Sequence, residues 1–133
     1  MDNLQSNVTK DRFAKLLGIG ILEAADGHSL VEMNIEEKHL NGVGVVQGGA
    51  IFTLADFAFA VASNTPGTMT VSIDAHIAYY KAPAGKLIRA EANAESVRNR
   101  ICGYKVLVTD EDGSLVASFS GVGYRRREEK QPD

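Results

Sequence analysis

The chain has 133 residues, which is long enough for one domain with its own hydrophobic core. Apolar residues make up 44% of the sequence and charged residues 23%, which is the composition of an ordinary globular protein. The net charge of -3 argues against a nucleic-acid-binding surface, because phosphate binding needs a basic face.

Both ends of the chain are polar and mixed in charge. We expect residues 1–8 and 126–133 to be flexible ends of a single domain that spans residues 1–133. The N-terminal segment lacks the apolar stretch of a secretory signal. The single cysteine, Cys102, excludes an internal disulfide and fits a reducing compartment, so we expect a cytoplasmic protein.

The first predicted elements are a short helix and a strand. Residues 10–18, KDRFAKLLG, carry an apolar helical face between a possible cap at Thr9 and a terminating Gly18. Residues 28–35, HSLVEMNI, alternate apolar and polar side chains, which predicts a strand. The dipeptide NG at 41–42 then marks a turn.

A long apolar segment at residues 49–63 predicts a helix, because it lacks strict alternation and is too long for a strand. Apolar side chains cover most of its circumference, so we expect this helix to be buried. A narrow stripe of small and polar residues interrupts that cover, namely Thr53, Asp56, Ala60 and Ser63. Because the segment carries a charge and follows a glycine pair, it is a poor membrane span, and we expect no membrane association.

Four further strands are predicted after the helix, at residues 68–80, 86–97, 101–110 and 114–125. Strands and helices do not alternate along the chain, which argues against a doubly wound parallel sheet. We therefore predict an α+β fold, in which a curled antiparallel sheet of about five strands wraps around one long buried helix. The open edge of such a sheet favours pairing between subunits.

The start of the long helix carries groups that can bind a substrate and take part in a reaction. Gly48 and Gly49 let a ligand approach the backbone closely, and the first N–H groups of a helix can polarise a carbonyl oxygen. Asp56 lies two turns, about 10 Å, further along the helix, and a carboxylate there can act as a base or as a nucleophile. The alternatives are a glycine pair that only forms a turn and an aspartate that has a structural partner.

Other polar residues allow two interpretations. Asn41 is either a site residue or a plain turn residue, and Ser72 is either a site residue or an ordinary polar position of a strand. The three histidines are scattered, and none has ligand spacing with the cysteine, so we predict no metal site. The sequence also lacks a dinucleotide fingerprint and a G-x-S-x-G nucleophile elbow.

Residues 41–64, NGVGVVQGGAIFTLADFAFAVASN, resemble the hotdog-fold acyl-CoA thioesterases, in particular the phenylacetate-pathway subgroup. That family commonly shows Asn or Gln, then His-Gly-Gly six residues later, then an acidic residue in the helix. Asn41, the run Gln47-Gly48-Gly49 and Asp56 keep this spacing. The segments TVSIDAHIAYYKAPAGKLIRAEA and FSGVGYR are also similar to the family, so the resemblance covers roughly residues 12–125.

The resemblance implies the hydrolysis of an acyl-CoA or aryl-CoA thioester. Asp56 would attack the thioester carbonyl or activate a water, and the Gly49 N–H would polarise that carbonyl. Asn41 would orient the water or the substrate, and Ser72 would position the water or the carboxylate. The site would form across a dimer interface, with Asp56 of one subunit facing the glycine turn of the other. We accordingly expect a homodimer or a dimer of dimers.

The resemblance also implies a set of substrate contacts. Six residues are predicted to bind the substrate, the last three of them at the phosphates of coenzyme A: Gln47, Gly48, Phe52, Lys81, Arg98 and Arg100. No separate cofactor is expected, because coenzyme A is part of the substrate.

Gln47 departs from the family pattern, which has histidine at this position. Glutamine can donate an N–H to a carbonyl oxygen but cannot exchange a proton near neutral pH. This departure favours a mechanism carried by Asp56 and backbone dipoles, and it keeps open a non-catalytic acyl-CoA-binding or sensing module. A hydratase or dehydratase is a further alternative, although such enzymes pair the acidic residue with a nearby histidine, and none lies between His39 and His76.

Overall fold

The computed structural model describes residues 6–65 and 67–127. Two short helices, α1 and α2, precede two strands, a 3-10 helix, the long helix α3 and four more strands. In chain order these elements are α1 (Ser6–Thr9), α2 (Arg12–Leu17), β1 (Ile19–Ala25), β2 (His28–Asn34), the 3-10 helix (Glu37–His39), α3 (Gly48–Ser63), β3 (Thr68–Tyr79), β4 (Leu87–Val97), β5 (Ile101–Asp110) and β6 (Leu115–Arg127).

The strands form one antiparallel sheet with the order β1-β2-β4-β5-β6-β3. Helix α3 lies across this sheet and contacts all of its strands. The predicted α+β fold, a curled antiparallel sheet around one long helix, is therefore confirmed. Strands β1 and β3 are the two edges of the sheet, so each has one side without a neighbouring strand.

The sheet has one strand more than predicted, because β1 was missed in the sequence. Its segment, IGILEAA, contains few strongly β-forming residues, and its register with β2 shifts between Ile21 and Glu23. The bulge breaks the alternation of buried and exposed positions, and alternation is the signal by which a strand is recognised.

Helix α3 supplies one side of the core and the sheet supplies the other. Leu54, Ala55, Ala58 and Ala62 of α3 are all 0% exposed and face apolar side chains of the strands. The small residues let the helix lie close to the sheet. Asn64 caps the end of the helix, and its side chain donates to the Ala60 carbonyl at 2.8 Å and accepts from Thr70 N at 2.9 Å. These two bonds join the end of α3 to the start of β3.

Two predictions for the chain ends need correction. Asp11, not Thr9, caps α2, because its Oδ1 accepts from the Ala14 N–H at 2.9 Å, and Gly18 ends that helix as predicted. Val8 is only 6% exposed, so the described part of the N-terminal segment is not simply solvated. Strand β6 continues to Arg127, whereas residues 1–5 and 128–133 lie outside the described residues.

No helix in the described part of the chain is long and apolar enough to cross a membrane. Within the same residues, no group of three or more histidine, cysteine or acidic side chains could hold a metal ion.

Candidate active site

Asp56 lies on the part of α3 that faces the N-terminal segment and the edge strand β3. After the first turn of the helix, the partly exposed residues are Phe52, Thr53, Asp56 and Ala60, which follow one another at helical spacing and include most of the predicted small and polar stripe. Asp56 lines a cavity of about 330 Å³, here called the Asp56 cavity, between α3, the N-terminal segment and β3. Its lining includes Asp11, Asp56, Phe59, Ser63, Thr70 and Ser72. Asp56 and Ser72 thus line the same cavity.

The surroundings of Asp56 make its carboxylate more basic than a solvated one. Burial raises the pKa of Asp56, and the negative charge of Asp11 raises this pKa further. Both effects disfavour the charged form, because a carboxylate loses hydration in a cavity and is repelled by a like charge. A carboxylate whose pKa is raised accepts a proton more readily, which suits a general base.

Two serines line the Asp56 cavity, one on α3 and one on β3. Ser72 belongs to β3 and lies where the register with β6 shifts, between Ser72 and Asp74. Ser63 is 6% exposed, and its Oγ is the one buried side-chain nitrogen or oxygen of the described residues without a hydrogen-bond partner. A buried hydroxyl without a partner is uncommon in folded proteins. Ser63 thus places an unpaired hydroxyl beside the wall of the cavity.

The glycine pair forms the first turn of α3. The first helical hydrogen bonds run from the Ala50 and Ile51 N–H groups to the Gln47 carbonyl, so the N–H groups of Gly48 and Gly49 lie outside this pattern. The Tyr79 hydroxyl donates to the Gly48 carbonyl at 2.9 Å, and a Cβ on Gly48 would lie 3.2 Å from the Tyr79 ring. The close approach of Tyr79 explains the glycine at position 48.

Gln47 and Gly49 line a second cavity, separate from that of Asp56. This cavity measures about 320 Å³ and is bordered by Phe13, Leu17 and Thr53. The Gln47 Oε1 lies against Gly49, 3.0 Å from where a Cβ would be. Within one chain, the glycine turn and the Asp56 carboxylate therefore open into different cavities, about two helical turns apart.

Asn41 holds the loop that precedes α3. Its Oδ1 accepts from the Val43 N–H at 3.0 Å and from the Val45 N–H at 3.2 Å, and its own N–H donates to the Val45 carbonyl. This is the geometry of the turn-residue interpretation, and it leaves only the side-chain amide N–H groups for a substrate or a water. Phe52 packs edge-on against Phe119, with ring centroids 5.5 Å apart.

The three basic residues predicted at the coenzyme A phosphates do not lie together. The Lys81 ammonium forms an ion pair with Asp110 at 2.8 Å and a hydrogen bond with Ser114. Asp110 is only 2% exposed, and hydrogen bonds with Asp112, Lys81 and the Ala84 N–H lower its pKa. Lys81 is thus the counter-ion of a buried carboxylate.

Arg98 and Arg100 lie at the turn between β4 and β5, near the start of β3, whereas Lys81 follows the end of that strand. Strand β3 has 12 residues, so its two ends are roughly 35 Å apart. Lys81 and Arg100 of one chain therefore cannot contact the same phosphate.

Comparison with known proteins identifies the family to which this chain belongs. The model of the thioesterase superfamily matches residues 43–117, which is more than half of the chain. The chain belongs to the thioesterase superfamily. A putative esterase of Archaeoglobus fulgidus is 38% identical over 92% of this chain and 80% of its own. The acyl-coenzyme A thioesterase PaaI of Escherichia coli is 31% identical over 92% of this chain and 89% of its own.

Solved structures of the thioesterase superfamily agree with this assignment. The structure of the E. coli PaaI protein has a TM-score of 0.86 and 30% identity, covering 91% of this chain and 88% of that one. A point mutant of the phenylacetic acid degradation protein PaaI from Thermus thermophilus has a TM-score of 0.81 and 34% identity, covering 86% and 98%. The resemblance to hotdog-fold thioesterases, and the prediction of an enzyme of that family, are thus confirmed.

Two polar residues that line the Asp56 cavity, Ser63 and Asp11, were not predicted as site candidates from the sequence. Ser63 already stood in the small and polar stripe of the predicted helix, so a helical wheel could have placed it on the side of Asp56. Asp11 had only the signal of a helix-capping residue. Its position beside Asp56 depends on how α2 packs against α3, which the sequence did not indicate.

Proposed function

We propose that this member of the thioesterase superfamily hydrolyses an acyl-CoA or aryl-CoA thioester to the free acid and coenzyme A. The observation that carries this proposal is the Asp56 carboxylate, whose pKa is raised and which lines a cavity beside the long helix. In the reaction, the bond between the carbonyl carbon and sulfur breaks. Water supplies the oxygen of the new carboxylic acid and the proton of the coenzyme A thiol.

Asp56 has one of two roles in this proposal. As a general base, it takes a proton from the water that attacks the carbonyl; as a nucleophile, it forms an anhydride with the acyl group that water then hydrolyses. The Gly49 N–H at the start of α3 stabilises the negative charge that develops on the carbonyl oxygen. Ser72 positions the water or the carboxylate from β3.

The proposed site is shared between two subunits. One chain holds Gly49 and Asp56 in different cavities, so a single thioester needs the glycine turn of a second copy. The edge strand β3 supports such an arrangement, because Val71 is 50% exposed and Ile73 is 57% exposed on a strand with an unpaired side. We propose a homodimer joined along β3, which is able to assemble further into a dimer of dimers.

Gln47 and Asn41 have supporting roles in this proposal. The Gln47 side chain lies over Gly49 and can donate an amide N–H to the thioester carbonyl. The Asn41 Oδ1 accepts two backbone hydrogen bonds that stabilise the loop before α3. The side-chain amide N–H groups of Asn41 can then donate to a water or to the substrate. Since neither residue exchanges a proton near neutral pH, the proton transfer is assigned to Asp56.

The relatives suggest the first substrates to test. The relative from T. thermophilus is described as a phenylacetic acid degradation protein, so we propose an arylacetyl-CoA ester, with medium-chain acyl-CoA esters as the alternative. Coenzyme A esters and a buried free Cys102 both fit a reducing cytoplasm, which remains our prediction for the location.

The proposal is tested by Asp56→Asn, with Asp26→Asn at the exposed turn between β1 and β2 as the matched control. Purified proteins are assayed for thiol release from a panel of arylacetyl-CoA and acyl-CoA esters. Because asparagine cannot serve as base or nucleophile, we expect Asp56→Asn to lower kcat by about 100-fold or more, and the control to keep the rate.

A wild-type rate in Asp56→Asn contradicts the role of this carboxylate. Tight binding of coenzyme A esters by the wild-type protein, without thiol release from any of them, would instead identify the non-catalytic binding module that Gln47 keeps open.

A further inference from the structure

The Tyr79 hydroxyl contacts the peptide group that joins Gly48 to Gly49. Tyr79 lies at the end of β3, and its hydroxyl donates a hydrogen bond to the Gly48 carbonyl oxygen at 2.9 Å. The Gly48 carbonyl and the Gly49 N–H belong to one peptide unit, in which resonance couples the oxygen to the nitrogen. The tyrosine therefore acts on the group that carries the proposed donor to the thioester carbonyl.

A hydrogen bond to the oxygen of a peptide group makes the N–H of that group a stronger donor. The bond draws electron density toward the oxygen and leaves the nitrogen more positive, which is how hydrogen bonds in a chain strengthen one another. The Gly49 N–H lies outside the first hydrogen bonds of α3, which run from the Ala50 and Ile51 N–H groups to the Gln47 carbonyl. It is therefore one of the N–H groups of the helix start that can direct this added polarity at a ligand.

Backbone pairing fixes the position of Tyr79 at the end of its strand. Tyr79 pairs with Ala117 of β6, which is fully buried. The chain directly after Tyr79 is held as well, because the Tyr80 and Lys81 N–H groups both donate to the Val116 carbonyl, at 2.8 and 3.4 Å. The ring of Tyr79 is thus presented to the glycine turn by a strand end that is anchored on both sides of the residue.

The contact between Tyr79 and the glycine turn involves the hydroxyl end of the ring. A Cβ on Gly48 would lie 3.2 Å from both the Cζ and the hydroxyl oxygen of Tyr79, so that end of the ring lies directly against the glycine. The Tyr79 side chain is 48% exposed, so it is not needed to fill the core. Partial burial raises the pKa of Tyr79, and the hydroxyl therefore keeps the proton that it donates near neutral pH.

We propose that Tyr79 is a positioning residue for thioester hydrolysis, which holds and polarises the Gly48–Gly49 peptide group so that the Gly49 N–H is a stronger donor to the oxyanion. This inference rests on the proposed function, because the Gly49 N–H is taken as that donor. The Tyr79 hydroxyl neither touches the substrate nor exchanges a proton in the reaction. It acts through the glycine turn, and its effect is largest when negative charge develops on the carbonyl oxygen.

The test is Tyr79→Phe, which removes the hydroxyl and keeps the ring. Tyr80→Phe is the matched control, because it removes the hydroxyl of the next residue, whose side chain is 60% exposed. An oxyanion donor contributes about 100-fold to 1000-fold to kcat, and a neighbouring hydrogen bond strengthens such a bond by about 10–30%. We therefore expect Tyr79→Phe to lower kcat for thiol release about twofold to eightfold and to leave KM within about twofold. Tyr80→Phe should change neither.

The nuclear magnetic resonance of the Gly49 amide gives a second readout that needs no substrate. Gly48 and Gly49 form the one Gly-Gly pair of the sequence, so labelling glycine at both its carbonyl carbon and its nitrogen marks a single carbon–nitrogen pair, that of the Gly49 amide. Without the bond to the Gly48 carbonyl, the nitrogen is less deshielded, and its signal should move to lower frequency in Tyr79→Phe but not in Tyr80→Phe. Replacement of Tyr79 by 3-fluorotyrosine, a more acidic phenol and a stronger donor, should move the signal the other way.

An unchanged Gly49 signal in Tyr79→Phe, or a changed signal with an unchanged kcat, overturns this inference. An equal loss of kcat in Tyr80→Phe also overturns it, because the effect would then not belong to the bond with Gly48. The two proposals can fail separately. Thiol release that Tyr79→Phe leaves unaltered rejects the role of Tyr79 alone. Absence of thiol release from every ester rejects hydrolysis, and the Gly49 signal still decides whether Tyr79 polarises the peptide group.

Discussion

At the scale of single residues, the pKa of Asp56 depends in part on Asp11, a neighbour that is distant in sequence. Asp11 and Asp56 are the two carboxylates that line the Asp56 cavity within the described residues. Asp11 also caps α2 through its Oδ1, so its position is held by a hydrogen bond with Ala14 N. The negative charge of Asp11 is one cause of the raised pKa of Asp56, after burial.

Because the charge of Asp11 raises the pKa of Asp56, removing that charge should change the pH profile of kcat/KM. The rate should fall as pH drops through the raised pKa of Asp56, because the protonated carboxyl is neither a base nor a nucleophile. Asp11→Asn removes the like charge and lowers the pKa of Asp56, so the acid limb of kcat/KM against pH should move to lower pH. Asparagine is as good a helix cap as aspartate, so α2 should be preserved.

Asp11→Ala is the companion variant, because it removes the cap as well as the charge. It should move the acid limb in the same direction and also lower the melting temperature. An acid limb that stays in place, or moves to higher pH, in Asp11→Asn contradicts the electrostatic role of Asp11.

At the scale of elements, the long helix and the long strands could be predicted from the sequence, whereas the bulged strand β1 and the start of the short helix α2 could not. Helix α3 was predicted at 49–63 and begins one residue earlier, because an uninterrupted apolar segment of that length strongly favours a buried helix. Strand β5 was predicted with its observed bounds, since its alternation is unbroken. The bulged strand β1 depends on its pairing with β2, which no local pattern contains. The start of α2 was misplaced because Thr9 and Asp11 are both capping residue types, and Asp11 is the one that caps the helix.

The edge strand β3 leads to a prediction about assembly. Lysine at an exposed edge position opposes strand pairing, so Ile73→Lys should convert the proposed dimer to a monomer and abolish thiol release. Leu22→Lys is the control, because Leu22 is 47% exposed on the other edge strand, β1. Sedimentation velocity measures the assembly state. A wild-type protein that is monomeric and active contradicts assembly along β3.

At the scale of the whole molecule, the separation of two cavities was beyond sequence reasoning. The spacing of Gln47, Gly49 and Asp56 identified the family and the helix that carries the carboxylate. The same spacing cannot tell that Gly49 and Asp56 open into different cavities, because that depends on how α2 and β3 flank the helix. Likewise, the arginines of residues 125–127 looked like part of a solvated tail, and only the β6–β3 pairing gathers them into a groove.

The central claim is that Asp56 of one subunit and Gly49 of another form one hydrolytic site, and complementation tests it directly. Asp56→Asn and Gly49→Val are expressed separately and together, and thiol release is measured. Each variant alone should be inactive, since asparagine is no base and valine shields the Gly49 N–H. About half of the randomly formed dimers combine the two variants, and each such hybrid has one intact shared site, so activity should return to about a quarter of wild type. Co-expressed variants that assemble into hybrids and remain as inactive as their parents would contradict the shared site.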